Sequence, residues 1–354
     1  MKRVLVILAL ASLAACEPGK KESVQVGYRG VGQEINYDRS KLKDIAAANV
    51  APKPLPSAPV DTSPVKWQNV QVLTNVSNAE MFRTMNAMTA WVSPKEGCAY
   101  CHNPANYGSD EKYPKIVSRR MIEMTRTINN EYKSHVQGTG ATCYTCHRGN
   151  VVPQYGLWHF TDENQWQRAY LDRQDVRVQS VTVKHTPDNR SSIKQTENTY
   201  ALMMNVSSGL GVNCTYCHNS RSWATWQNAP PARITSLYGF RMVRELNTNY
   251  LAPLNTTFPA KRLGVHGDSP KLSCVTCHQG AYKPLLGAQM AKDYPALWGS
   301  HGWVRGSPND TVSVGFKDLR SRDSVTTDAA PILPPELARP LPAPVRGKAG
   351  ASPR

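Results

Sequence analysis

The 354-residue sequence has no uninterrupted apolar run of the 18 or more residues that a membrane-spanning helix needs. This absence excludes a protein with several membrane spans. Acidic residues are also scarce, with 26 Asp and Glu against 42 Lys and Arg. A basic excess ordinarily raises nucleic acid as a partner. The apolar fraction of 40% excludes disorder throughout the chain and allows a core of modest size.

One short apolar run does occur, at the N-terminus. Residues 4–15 are apolar except for Ser12, two basic residues precede them, and Cys16 follows. This arrangement is typical of a signal peptide. The residues Leu13–Cys16 resemble a bacterial lipobox, in which the cysteine becomes the acylated N-terminus. We therefore expect a lipid-anchored protein on the periplasmic face of the inner membrane, where nucleic acid is absent. The alternative is a buried apolar helix or an uncleaved anchor.

Apart from Cys16, no cysteine lies outside a Cys-x-x-Cys-His unit. The four units contain Cys98, Cys101 and His102; Cys143, Cys146 and His147; Cys214, Cys217 and His218; and Cys274, Cys277 and His278. The pattern is the attachment signature of c-type haem, because two thiols bind the porphyrin edge and the next histidine ligates the iron. Zinc sites would need further ligands in each unit, and disulfides would not need the histidines. The sequence predicts four covalently bound haem c groups.

The iron of an electron-carrying haem normally needs a sixth ligand. The histidines outside the units are His135, His159, His185, His266 and His301, and most are poorly placed for this role. Methionines precede the first three units: Met81, Met85 and Met88, then Met121 and Met124, then Met203 and Met204. Only Met242 precedes the fourth unit. The same spacing also suits the buried stripe of a helix, and one methionine can face iron while its neighbours pack.

The units form two pairs, and the segments inside the pairs repeat. Residues that match are 118 positions apart: Ile116 and Ile234, Ser118 and Ser236, Met124 and Met242, Asn129 and Asn247, and Tyr132 and Tyr250. This repeat predicts a duplicated two-haem module. At the same offset, Gly239 stands where the first copy has Met121, so the second copy lacks that methionine.

A helix is predicted over residues 117–136, with Gly138 as its stop. Met121 and His135 would face nearly the same side, roughly 21 Å apart along the axis at 1.5 Å per residue. One helix could then ligate two different haems, with His135 serving the unit that lacks a well-placed methionine. A histidine near a helix end can also be a surface or capping residue, and spacing alone leaves this open.

These features, from Cys16 to about Gly280, resemble the tetrahaem cytochrome subunit of the purple-bacterial photosynthetic reaction centre. The resemblance implies a mainly α protein with much irregular structure, built as a multihaem cytochrome from two duplicated two-haem modules related by pseudo-two-fold symmetry. It also implies three methionine ligands and one histidine ligand, giving three His/Met haems and one His/His haem. By spacing, these ligands fall on Met85, Met121, Met203 and His135, although spacing does not separate Met203 from Met204.

The expected organisation follows from these assignments. The boundaries are 1–15 for the lipoprotein signal peptide, 16–66 for an extended N-terminal arm, 67–155 for the first two-haem module, 156–197 for a connector, 198–290 for the second module and 291–354 for a C-terminal segment with a Pro-rich tail. A short strand is predicted within the connector at 179–184.

The resemblance also implies a function. The protein would be an electron carrier and not an enzyme, re-reducing the photo-oxidised bacteriochlorophyll special pair. Its partners would be the reaction-centre L and M (and H) subunits and a soluble periplasmic cytochrome or high-potential iron–sulfur protein. A respiratory multihaem shuttle is the alternative, but it would predict mostly bis-histidine ligands. A haem enzyme of the nitrite-reductase type would need one open coordination site.

Overall fold

The computed structural model describes residues 21–25, 34–63, 67–155, 166–167, 169–171, 193–221, 223 and 228–298. This part of the chain is mainly helical with much irregular structure, as the sequence predicts. The helices are α1 (Arg39–Ala48), α2 (Asn78–Val92), α3 (Tyr113–Glu131), α4 (Lys133–Val136), α5 (Cys143–His147), α6 (Ile193–Leu210), α7 (Ala232–Leu246) and α8 (Cys274–His278). Among these residues no helix is long and apolar enough to cross a membrane.

Shorter helical turns connect these elements. The 3₁₀ turns are Gly97–Tyr100, Cys214–Tyr216, Ala252–Thr256, Ala260–Arg262, Pro284–Gly287, Met290–Asp293 and Pro295–Leu297. A π-helical turn, Asn247–Leu251, extends α7. Such turns are frequent at functional sites because they reposition side chains without ending the helix.

The predicted N-terminal arm is wrong in part. Strands β1 (Lys21–Gln25) and β2 (Glu34–Asp38) pair antiparallel, and α1 follows directly. Among the described residues of this region, those after α1 are irregular, and there the side chain of Asn49 donates to the carbonyl of Gln279 at 3.1 Å. The predicted signal peptide, Cys16, the strand at 179–184 and the Pro-rich tail lie outside the described residues.

The predicted continuous helix over 117–136 is also wrong in part. It begins earlier, at Tyr113, and is divided into α3 and α4 by Tyr132, whose φ and ψ of −109° and 35° are not helical. The hydroxyl of Tyr132 donates to the Glu245 carboxylate, so a tertiary contact holds the residue at the break. The helix ends before Gln137, whose positive φ of 51° breaks the helix one residue before the predicted stop at Gly138.

The largest apolar core joins α3, α6 and α7. Its most buried members include Ile128, Leu202, Leu246, Leu254 and Tyr170. Full burial of a large apolar side chain contributes about 1.5–3 kcal/mol, so this core provides the rigid frame for the surrounding units.

Two buried asparagines at equivalent positions fix the approach to the second and fourth units. Asn129 donates to the carbonyl of Ala141 at 3.0 Å and accepts from its amide at 2.6 Å. Asn247 does the same with Leu272, at 2.9 and 2.7 Å. Both asparagines are completely buried. Because Ala141 and Leu272 each lie two residues before an attachment cysteine, each asparagine positions one unit.

A reciprocal pair of contacts joins the two repeats. Tyr132 contacts Glu245, and the hydroxyl of Tyr250 lies 2.5 Å from that of Thr127. Tyr132 and Tyr250 are 118 residues apart, as are Thr127 and Glu245. Each repeat therefore presents a tyrosine to the same position of the other repeat.

Candidate haem-binding sites

A cavity of about 800 Å³ lies beside the first two units. Its lining includes Cys98, Cys101, His102, Cys143, Cys146 and His147, together with Met81, Met85, Met88, Met121 and Met124. This volume lies in the range of cofactor sites, which are largely apolar with a few placed polar groups. The cavity brings together thiols, imidazoles and thioethers from both units of the first predicted module.

A second cavity, of about 380 Å³, lies beside the fourth unit. Cys274, Cys277 and His278 line it, and so do His135 and Gly239. Thus Met121 on α3 faces the first cavity, whereas His135 on α4 faces the second. The break at Tyr132 separates the two residues, yet the same stretch of chain supplies one side chain to each cavity.

The four units adopt two local structures. The first and third form 3₁₀ turns, whereas the second and fourth form the short helices α5 and α8. Each short helix is stabilised by a capping pair, Thr142 with Thr145 or Ser273 with Thr276. The structural alternation follows the alternation in sequence, in which a glycine comes two residues after His147 and His278 but not after the other two histidines.

Those glycines allow the chain to turn away from the unit. Gly149 and Gly280 have φ values of 81° and 82°, in the region that glycine populates readily. Their amides donate to the carbonyls of Trp91 and Gly209 at 2.8 Å in both cases. Each attachment helix is thereby fastened to the end of the long helix that precedes the other unit of its pair, α2 or α6.

All five histidines predicted as ligands share one hydrogen-bonding pattern. The Nδ1 atoms contact backbone carbonyls as follows: His102 with Tyr107 at 3.2 Å, His135 with Thr235 at 2.9 Å, His147 with Asn150 at 2.9 Å, His218 with Trp223 at 3.0 Å and His278 with Ala281 at 2.9 Å. A carbonyl only accepts, so Nδ1 carries the proton. The lone pair of Nε2 is then free for a metal, as in metal-ligating histidines generally.

His135 and His278 face each other across the second cavity. Their ring centroids are 6.0 Å apart. With each Nε2 about 2.0 Å from a shared metal, two opposed imidazole centroids would be separated by roughly 6 Å. Burial lowers the pKa of His135, and burial followed by the neighbouring His135 lowers the pKa of His278 to about 4. Both rings are therefore neutral at pH 7, as ligation requires.

Gly239 makes room for His135. A Cβ atom at this position would lie 2.6 Å from Cε1 and 2.9 Å from Nδ1 of the His135 ring. Real Cβ atoms do not approach ring atoms this closely, so any larger residue would displace the imidazole. In the second repeat, the space that a side chain at position 239 would fill is thus occupied by His135 of the first repeat.

The methionines differ in their placement. Met85 and Met88 pack against a buried cluster that contains Met81 and Ile122. On α6, Met203 packs against the main core, whereas 59% of Met204 is exposed. The orientation of α6 therefore places Met203 and Met204 in different environments, although sequence spacing did not distinguish them.

Two of the attachment thiols lie in environments that keep them protonated. Burial raises the pKa of Cys143 to about 12 and that of Cys274 to about 11. The Sγ atoms of Cys146 and Cys277 lie 3.0 Å apart, so the second and fourth units are neighbours. No three His, Cys, Asp or Glu side chains converge as a bare metal ion would need, within the part of the chain that the structure describes.

This donor set fits covalent haem. Thiols and histidines occur in fixed pairs, the histidines present free Nε2 atoms, and apolar cavities adjoin the units. In the third unit, Tyr216 lines the second cavity, whereas Cys214 is exposed. The carbonyl acceptors at Tyr107, Trp223, Asn150 and Ala281 had no signal in the sequence. His266, one of the histidines considered for ligation, is exposed.

The chain is similar to proteins of known name. A family model described as photosynthetic reaction centre cytochrome C subunit matches residues 17–174 and 163–298. A photosynthetic reaction center cytochrome c subunit of Rubrivivax gelatinosus is 46% identical over 82% of this chain and 87% of the relative. Those of Thermochromatium tepidum and Roseobacter denitrificans are 44% and 34% identical, each over 83% of this chain and over 79% and 90% of the relatives.

Proposed function

This chain belongs to the family of photosynthetic reaction centre cytochrome c subunits, and from that premise we propose that it re-reduces the photo-oxidised bacteriochlorophyll special pair. The electrons would come from a soluble periplasmic cytochrome or a high-potential iron–sulfur protein. Family membership implies photosynthetic electron transfer, covalently bound haem c and association with a reaction centre. The direction of transfer, the donor and the contacts with the L and M (and H) subunits are the proposal.

The proposed ligand set has one pair of residues for each iron. The pairs are His102 with Met85, His147 with Met121, His218 with Met203, and His278 with His135. The fourth pair is supported by the position of His135 and His278, which both line the second cavity with their ring centroids 6.0 Å apart. The packing of Met203 against the core, compared with the exposed Met204, favours Met203 as the third methionine.

We further propose that residues 67–155 and 198–290 are duplicated two-haem modules related by a pseudo-two-fold axis. A two-fold relation makes contacts reciprocal, so that if one position touches another, the converse also holds. The Tyr132–Glu245 and Tyr250–Thr127 contacts have this form. The matching roles of Asn129 and Asn247 support the same relation.

Haem c bound at these positions would supply reversible one-electron chemistry. The chain's own contribution is to set the conditions for it. A thioether ligand favours the ferrous state relative to a second imidazole, so Met85, Met121 and Met203 raise their haems' potentials compared with the His135 site. Cys143 and His278 are buried, which limits the access of water to the second and fourth units. Haems of unequal potential, held at fixed positions in one protein, would allow electrons to be stored and delivered one at a time.

We assign the delivering end to the third unit, on the membrane side, with lipidated Cys16 as the anchor. Near this unit the outer face of α6 exposes two apolar residues one turn apart, Tyr200 and Met204, which are 69% and 59% exposed. Trp223, whose carbonyl accepts from His218, is 47% exposed. Such residues suit burial against another membrane-bound subunit.

Flash spectroscopy on membranes tests the proposal. The decay of the photo-oxidised dimer is recorded with the full chain, without the chain, and with His218→Ala or the exposed His266→Ala. We expect slow re-reduction without the chain and with His218→Ala, and unchanged rapid re-reduction with His266→Ala. Re-reduction that stays fast in the absence of the chain would contradict the function.

A further inference from the structure

The carbonyl oxygen of Tyr107 accepts hydrogen bonds from two side chains. Nδ1 of His102 lies 3.2 Å from it, and Nζ of Lys115 lies 2.8 Å from it. Lys115 belongs to the first turn of α3 and is only 7% exposed. The buried ammonium group of Lys115 therefore shares its carbonyl acceptor with the Nδ1–H group that orients the first unit's histidine.

The charge of Lys115 is only partly offset by Asp110, its nearest carboxylate. Its Nζ also donates to the Ser109 carbonyl at 2.9 Å and lies 3.2 Å from Asp110. However, Asp110 is already paired with Arg119 through contacts of 2.7 and 2.9 Å. One carboxylate therefore serves two cations, and the group of Lys115, Asp110 and Arg119 keeps a net positive charge beside the first unit.

Two effects of this charge act in the same direction. A carbonyl that is polarised by an ammonium is a weaker acceptor, so the imidazole of His102 gains less electron density through Nδ1–H. The partner of that N–H controls the basicity of a ligating histidine. In addition, ferric haem carries one more positive charge than ferrous haem, and a poorly solvated cation nearby disfavours the ferric form.

We propose that Lys115 is a positioning residue that raises the reduction potential of the first haem, acting through the Tyr107 carbonyl on His102. The inference rests on the proposed function, because it requires His102 to ligate that haem. It adds a determinant of the potential that lies outside the axial ligands. The geometry separates this role from that of an exposed charge on the same part of the chain, such as Lys95, which lies three residues before Cys98.

The test is a spectroelectrochemical titration of the complete reaction-centre complex. Lys115→Gln removes the charge, Lys115→Arg keeps it, and Lys95→Gln, which removes an exposed charge near the first unit, is the matched control. A Met85→His variant first identifies which step belongs to the first haem. In Lys115→Gln we expect that step to move to lower potential, with the ferrous-to-ferric ratio at fixed potential falling about threefold or more. That change corresponds to about 30 mV, at 59 mV per tenfold for one electron.

The remaining outcomes separate the explanations. Lys115→Arg and Lys95→Gln should leave the step close to its wild-type position, and the absorption spectrum should be unchanged in all three variants. An unmoved step in Lys115→Gln overturns the inference, and so does an equal shift in Lys95→Gln. Loss of the low-spin spectrum in Lys115→Gln would show a purely structural role and also overturns it. If no step responds to Met85→His, the assignment of the first haem fails instead.

Discussion

The imidazole of His135 lies against Gly239, so closely that a Cβ atom there would be 2.6 Å from its Cε1 atom. The two residues are on different repeats, and Gly239 aligns with Met121. The absence of one side chain in the second repeat therefore admits a ligand from the first. This relationship explains how a duplicated module could hold unequal haems.

Gly239→Ala should displace His135 and alter the fourth haem. Forcing an extra carbon into a packed site typically costs about 1–3 kcal/mol. We expect the bis-histidine signal to be weakened or lost in electron paramagnetic resonance, while the other three haems are unchanged. Gly138→Ala is the control, because nothing lies within 4 Å of a Cβ atom there. An unaltered signal in Gly239→Ala would argue against the steric role.

The neighbouring methionines on α6 should behave differently. Met203→Leu is expected to remove a thioether ligand, lower the midpoint potential of one haem and change its spectrum, because leucine has no donor atom. Met204→Leu should leave the titration unchanged, since Met204 is 59% exposed. The reverse result would identify Met204 as the ligand and would contradict the orientation of α6 described above.

Asn247→Ala should destabilise the second repeat. The side chain is completely buried and makes three hydrogen bonds, to the Leu272 carbonyl and amide and to the Tyr170 carbonyl. Leaving buried partners unsatisfied costs about 1–3 kcal/mol per group, so we expect a loss of at least about 2 kcal/mol in the free energy of unfolding. Guanidinium titration measures this, with the exposed Thr248→Ala as control. Equal free energies of unfolding for Asn247→Ala and Thr248→Ala would refute the role of Asn247 in positioning the fourth unit.

The stability of the chain should also depend on Asp110 in a pH-dependent way. Hydrogen bonds from Arg119 hold the pKa of this carboxyl well below its ordinary value. A carboxyl pKa that is lower in the folded state stabilises the fold at pH values above the unfolded-state pKa of about 3.9. This contribution is lost progressively as the pH falls below that value. Asp110→Asn should therefore lower stability by less than about 1 kcal/mol at pH 7, since solvent screens the partly exposed pair.

Unfolding curves at several pH values check this prediction. The difference between wild type and Asp110→Asn should shrink as the pH is lowered from 5 to 3, whereas the exposed Glu111→Gln serves as a neutralisation control. A difference that grows on acidification would reverse the sign and contradict the role of the Arg119 pair.

Much of the proposed site can be predicted from the sequence. The attachment units and the helical spacing of Met81, Met85 and Met88 require only short-range patterns, and the alignment of Met121 with Gly239 requires only the internal repeat. The break at Tyr132 could not be predicted, because its partner Glu245 is 113 positions away along the chain. The orientation of Met203 and Met204 likewise depends on which face of α6 meets the core.

The N-terminal region shows the same limit. Its proline-rich composition predicted an arm, and the irregular part after α1 agrees with that composition. The β1–β2 pair and α1 have weak local patterns and were not predicted. The two partners of the Tyr107 carbonyl were also inaccessible to sequence reasoning, because backbone acceptors leave no residue-type signal.

The most direct test of the proposed ligand arrangement is a redox titration of wild-type protein and His135→Met in the intact complex. The wild type should show four one-electron steps, with one bis-histidine species. In His135→Met a single step should move to higher potential, because a thioether replaces an imidazole, and the bis-histidine signal should disappear. Four low-potential bis-histidine steps in the wild type, or four unmoved steps in the variant, would contradict the account.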